Sequence, residues 1–241
     1  MPLQSLISDL EAAGDPKRAL SSAWFFKTGP GQYGEGDVFI GIAVPVLRKI
    51  AYRHLDLKLP SLRKLLQSKI HEHRLGALEI LVAQYERAME ADKKAIYEFY
   101  LLNTDRINNW DLVDASAPHI VGDYLLKRSR AILRKLAKSE SLWERRIAIV
   151  ATFGFLRTGE TKDTFQIATM LLKDKHDLIR KAVGWALREA GKKSQAELLS
   201  FLQEHYKDLS RTTLRYAIER FPPPLRERML AGSFTSLRYP R

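Results

Sequence analysis

The feature that most constrains this chain is the return of one helix pattern at a nearly fixed interval. The segments HRLGALEILVAQYER (73–87), RRIAIVATFGFLRTG (145–159) and IRKAVGWALREAGKK (179–193) each carry an arginine at their second position, Arg74, Arg146 and Arg180, followed by a stripe of small and apolar residues. Arg74 and Arg146 are 72 residues apart, twice 36, and Arg146 and Arg180 are 34 apart, so a middle member should fall near 110. A period of ~34–40 with two helices per unit is how helical solenoids are written in sequence, because one pair cannot bury its apolar face without neighbours.

The rest of the chain agrees. Apolar residues recur at three- and four-residue spacing, as in Leu62, Leu65, Leu66 and Leu75, Leu78, Leu81, Val82, while strict alternation is nearly absent. Gly14, the stretch GPGQYGEGD (29–37), Pro60, Gly159, Gly191 and the prolines at 222–224 punctuate these segments. The expected fold is all-α, a single curved solenoid of helix pairs with the second helices lining the concave face. Residues 1–59 read as a helical N-terminal cap containing the Gly-rich loop, residues 60–229 as repeats of the same single domain, and residues 230–241 as a frayed tail. DLIRKAVGWALREAG resembles the HEAT-repeat pattern, in which Arg180 bonds to its own turn.

Composition narrows the partners. There are 40 Lys and Arg against 28 Asp and Glu, a net charge of +12 spread along the chain, which favours a polyanion. Cysteine is absent, which excludes disulfides, zinc–thiolate sites, iron–sulfur clusters and cysteine nucleophiles and fits a reducing cytoplasm. The N-terminus lacks a signal-peptide pattern, and the longest apolar run, IAIVATFGFL, is far below the ~18 residues of a membrane span. A cytoplasmic monomer with no membrane contact is expected.

Few motifs carry chemistry. HEH at 71–73 suggests a metal, but residues two apart on a helix face different ways and no third ligand is near, so no metal is expected. The glycines of 29–37 lack the Lys-Ser/Thr step of a phosphate-binding loop and read as a flexible connection. No cofactor motif and no Ser-His-Asp arrangement is visible. In NNWDLVDASAPHIVGDYLL (108–126), Asn108 is expected to cap a helix, placing Asp111 in its first turn beside the unpaired amides. Asp114 lies one turn beyond Trp110 on the same face, outside the reach of that capping argument. In a solenoid, Arg146 and Trp185, near the heads of later second helices, are expected to stack beside this pair.

With these residues in view, the chain resembles the AlkD family of HEAT-like-repeat DNA glycosylases, which excise cationic N3- and N7-alkylated purines. The resemblance runs through FIGIAVPVLR (39–48), WDLVD (110–114), WERRIAI (143–149), IRKAVGWALRE (179–189) and LSRTTLR (209–215). It implies that Asp114 is the catalytic carboxylate, that Trp110 and Trp185 are groove tryptophans, and that Arg146 contacts phosphate. Where the family can carry a tyrosine before the first loop, this chain has AWFFK, which puts Phe25 there with Trp24 adjacent. These two, with Arg180, complete the expected DNA contacts. The implied partner is double-stranded DNA carrying alkylated purines. Two alternatives use the same fold: a non-catalytic solenoid for distorted or branched DNA, and a HEAT scaffold for proteins.

Overall fold

The computed structural model describes residues 3–234, and it is helical throughout, with a single isolated bridge between Val38 and Ile70 as its only β pairing among the described residues. The helices pack into two compact units, residues 1–124 and 125–241. The expected tail, 230–241, lies mostly outside the described residues.

In the first unit the elements are α1 (Leu3–Ala12), α2 (Pro16–Phe25), α3 (Val44–Ala51), α4 (Leu59–Leu66), α5 (His71–Arg87), α6 (Glu90–Leu101) and α7 (Trp110–Ala117), which runs into a wide π turn, Pro118–Gly122. Prolines open α2, α3 and α4, where a missing N–H costs nothing. The centre is α5, buried along nearly its whole length, with α1, α3, α4, α6 and α7 packed around it. Such burial requires that its polar residues be paired. Glu72 accepts three backbone N–H groups, from Ile40 (3.1 Å), Gly41 (2.7 Å) and Ile42 (3.3 Å), and Glu79 accepts from Arg48 Nε at 2.9 Å. Gly41 makes that turn possible. Its φ is +85°, and a Cβ there would stand 2.1 Å from Asp15 O.

The second unit comprises α8 (Ala131–Ala137), α9 (Leu142–Ala151), α10 (Phe153–Arg157), α11 (Lys162–Leu171), α12 (Asp177–Gly191), α13 (Gln195–Glu204), α14 (Arg211–Ala217) and α15 (Pro223–Leu230). Here α12 is the hub for α9, α10, α11, α13 and α14. The stretch read from sequence as one helix, 145–159, breaks at Thr152, whose hydroxyl donates to Ile149 O at 2.7 Å. Ser141, Ser194 and Ser210 each cap a following helix from their side chains.

The repeat register also shifts. Three arginines at the heads of second helices donate to the carbonyl six residues back, across the turn between paired helices: Arg74 to Ser68 O (3.0 Å), Arg145 to Ser139 O (3.0 Å) and Arg180 to Asp174 O (2.8 Å). The repeating arginine is therefore Arg145 rather than Arg146. Sequence alone could not choose between adjacent arginines, because the choice depends on which one points back over the turn. Position 110, which is 36 beyond Arg74, carries Trp110 in place of an arginine.

Two glycines distinguish tight packing from helix propensity. A Cβ on Gly184 would meet Tyr216 Cβ at 2.5 Å and Thr213 O at 2.6 Å, because α12 and α14 approach closely there, whereas one on Gly76 would meet only Leu10 Cδ1 at an ordinary 3.6 Å. Chemical denaturation should show Gly184→Ala destabilised by about 1–3 kcal/mol. Gly76→Ala should be neutral or stabilised by up to about 1 kcal/mol.

Candidate nucleic-acid site

The head of α7 is fixed by residues that sequence reasoning assigned to other tasks. Its cap is Asn109, not Asn108: the Asn109 side chain accepts from Trp110 N at 2.8 Å, while Asn108 Oδ1 is buried without a hydrogen bond. Extended backbone at Asn109 presents its oxygen to the first amide of the helix, and Asn108 is one residue too early to do so. Asp111 does lie in the first turn, but its carboxylate points back to α5 and accepts from His71 Nε2 at 2.8 Å.

His71 is held from both sides. Its Nδ1 is 3.3 Å from Asp37 Oδ2, at the end of the Gly-rich loop, and the same Asp37 oxygen is 2.7 Å from Arg74 Nη2 and 3.4 Å from Asn109 Nδ2. Burial pushes the imidazole toward neutrality, but Asp111 and then Asp37 more than offset it and raise its pKa from 6.5 to about 9. Asp37 is itself held below the ordinary carboxylate value: burial raises it, and the bonds and charges of His71 and Arg74 prevail.

The loop is thereby anchored at its end, and it closes on itself through Gly29 N to Gln32 Oε1 (3.0 Å) and Gly31 N to Glu35 Oε2 (2.8 Å). HEH does not converge on one point. His71 serves the aspartates, Glu72 the 40–42 amides, and His73 Nδ1 sits 3.1 Å from Ser68 Oγ. No group of three or more His, Cys, Asp or Glu suited to a metal occurs among the described residues.

An aromatic stack lies against this cluster. Phe39 stacks on His71 with centroids 4.6 Å apart, Phe26 stacks on Phe39 at 5.0 Å, and Trp110 stacks on Phe26 at 5.2 Å. Phe25 meets the Trp110 ring edge-on at 5.9 Å and is 56% exposed, whereas its neighbour Trp24 is 84% exposed with no ring partner among the described residues. The two aromatics thus differ in role: Phe25 belongs to the Trp110 wall, and Trp24 projects from α2. Phe26, the residue that supports Trp110 face to face, was not singled out in the sequence; the run AWFF was its only signal.

Asp114 is half-buried one turn beyond Trp110. Its negative charge reaches the buried Tyr100 hydroxyl, which burial first and then Asp114 push far above the ordinary tyrosine value. Tyr100 in turn shares a 2.9 Å hydrogen bond with Ser116.

In the second unit Trp185, on α12, is partly exposed and packs against Phe153 with centroids 4.4 Å apart. Arg146 is 5% exposed and donates from Nη1 to Leu178 O at 2.8 Å, tying α9 to the first turn of α12. Arg180 is engaged by Asp174 O, as expected of a repeat residue.

A model of the DNA alkylation repair enzyme family matches residues 6–221. The chain belongs to that family. Among solved structures it is similar to a predicted DNA alkylation repair enzyme from Enterococcus faecalis, at 18% identity with a TM-score of 0.68, covering 87% of this chain and 97% of that one, which establishes a shared fold. Comparison with curated proteins finds no match. No helix among the described residues is long and apolar enough to cross a membrane.

The His71 cluster makes a pH-dependent contribution to stability. Because the folded pKa is raised from 6.5 to about 9, the stabilisation is complete below pH 6.5, declines between these values and is gone above about 9. It is on the order of 3 kcal/mol at full strength. The resistance of the wild type to urea should fall as pH rises through this window, and His71→Gln should be less stable at pH 6 with a flatter profile. A wild-type stability unchanged from pH 6.5 to 9.5 would remove the cationic imidazole from the account.

Proposed function

We propose that this protein is a monofunctional DNA glycosylase that hydrolyses the N-glycosidic bond of cationic N3- and N7-alkylated purines in duplex DNA. The observation that carries the reading is the head of α7: a partly exposed tryptophan on an aromatic stack, with a half-buried carboxylate one turn further along the same face. Membership of the DNA alkylation repair enzyme family supports the lesion class.

An alkylated purine leaves with its positive charge neutralised, so the bond breaks toward an oxocarbenium-like sugar without protonation of the leaving group. Sugar hydrolases use a second carboxylate for that task; here one is enough. Asp114 stabilises the developing sugar cation and orients the attacking water; removing one preorganised electrostatic group from an active site typically costs roughly 3–4 kcal/mol. Trp110, kept in place by Phe26 and flanked by Phe25, offers a π face to the cationic base and sugar, worth ~0.5–2 kcal/mol. Trp185, a partly exposed indole of the second unit, is a further aromatic face for DNA. The net charge of +12 supplies attraction to the phosphate backbone. Exposed Trp24 meets the DNA beside the lesion. Arg180 and Arg146 add positive charge near the backbone, and because Arg146 also donates to Leu178 O, Arg146→Ala costs folding stability along with affinity.

Methylated duplex incubated with the protein should release 7-methylguanine or 3-methyladenine. Asp114→Asn should lower that release at least about 100-fold while DNA binding persists. Undiminished release by the variant would remove Asp114 from the mechanism. Uracil, a neutral base, should stay attached, and its efficient release would contradict a one-carboxylate site. Salt-sensitive DNA binding with no release of any base would select the non-catalytic solenoid.

A further inference from the structure

The reaction as proposed makes no use of the buried ionic cluster behind Trp110, although the cluster touches both structures that frame the site. Asp37 ends the Gly-rich loop, Asp111 opens α7, and His71 on α5 spans them with contacts of 3.3 and 2.8 Å. We propose that His71 is a positioning residue for base excision, a clasp that sets the aim of Trp110 and Asp114 by gripping Asp111. This inference rests on the glycosylase reading of the site.

Helix geometry makes the grip effective. Each residue turns the helix by about 100°, so fixing the direction of Asp111 fixes that of Trp110 before it and Asp114 after it. The other oxygen of that carboxylate, Asp111 Oδ1, is buried with no hydrogen bond among the described residues, and the bond to His71 is the hold they give this side chain. A second route runs through the rings. The imidazole packs on Phe26 with centroids 5.0 Å apart, and Phe26 stacks on Trp110 at 5.2 Å. A third runs through Asn109, whose amide reaches Asp37 Oδ2 at 3.4 Å while its carbonyl oxygen caps Trp110 N at 2.8 Å.

Charge balance explains why a histidine is suited to the position. The charged groups facing it are Asp37 from the loop, Asp111 from α7 and Arg74 from its own helix; the rings of Phe26 and Phe39 carry none. With His71 protonated, two cations match two anions. Loss of that proton leaves an unmatched carboxylate in a buried setting, and the cheapest relief is for Asp111 to turn toward water and take the head of α7 with it. Raising the pH should therefore disturb the aim of Trp110 and Asp114 before it disturbs the charge-driven grip on DNA.

The test has two arms. In the first, the imidazole of His71 is followed by NMR in the free wild-type protein, assigned by its loss in His71→Gln, together with the indole N–H of Trp110. A His71 midpoint near 9 with the Trp110 signal moving at the same pH supports the clasp. Titration at or below 6.5, or a Trp110 signal that ignores it, overturns the clasp. In the second arm, single-turnover release from methylated duplex is compared for the wild type, His71→Gln and the milder Asp111→Asn. The expected result is a rate lower by about ten-fold or more, with DNA affinity within about two-fold and the alkaline step in the wild-type rate profile abolished. Rates within about two-fold of wild type in both variants would overturn the proposal. If the wild-type protein releases no base, the glycosylase reading falls by itself, and the Trp110 titration alone decides whether His71 governs the head of α7.

Discussion

Four charges that neutralise one another, two of them buried and two partly buried, tie together the parts of the first unit that carry the candidate site. Asp37, His71, Arg74 and Asp111 come from three separate parts of the chain and pair with one another, which offsets the cost of taking the His71 and Arg74 charges out of water. Their pairing closes the Gly-rich loop onto α5 and brings the start of α7 to the same point. The aromatic stack from Phe39 through Phe26 to Trp110 then has a rigid base. The result is a tryptophan face supported from behind, with Asp114 following one turn later on a helix whose rotation is already set.

This arrangement suits a substrate that brings its own positive charge. A site for neutral bases must supply a proton to the departing base and hold a deep pocket around it, whereas a cationic lesion needs only a negative charge near the sugar and polarisable surfaces around it. The chain belongs to the DNA alkylation repair enzyme family, with which the proposed cationic substrate is consistent. The helical repeat supplies the scaffold economically: at most second-helix heads the register position holds an arginine that closes its own turn, and at position 110 it holds a tryptophan.

Much of the fold was legible because its signals are local. Apolar spacing and the glycine and proline breakers each act within a few residues, and they correctly indicated an all-helical chain. Two of the errors were also local, by one position: Asn109 caps α7 in place of Asn108, and Arg145 occupies the repeat position in place of Arg146. Periodicity gives the turn of a helix but not which of two adjacent like residues points where a bond is available. The His71 clasp was illegible for a different reason. Its members are 34 and 40 residues from His71, and HEH read by itself suggests only a metal site, with nothing to indicate two aspartates waiting in other segments. Phe26 has no sequence signal that separates it from Phe25 and Trp24 in the run AWFF, because stacking on Trp110 is a property of the folded chain alone.

The central claim is that the substrate's own positive charge, met by a single carboxylate and aromatic faces, drives bond cleavage. The most direct measurement compares two duplexes that differ only at the lesion, one carrying 7-methylguanine and the other its uncharged 7-deaza-7-methyl counterpart, with released base quantified under single-turnover conditions. The account predicts release of the cationic base and retention of the neutral one, both duplexes being bound. Comparable release of the two, or release of neither from a well-folded protein, would contradict it.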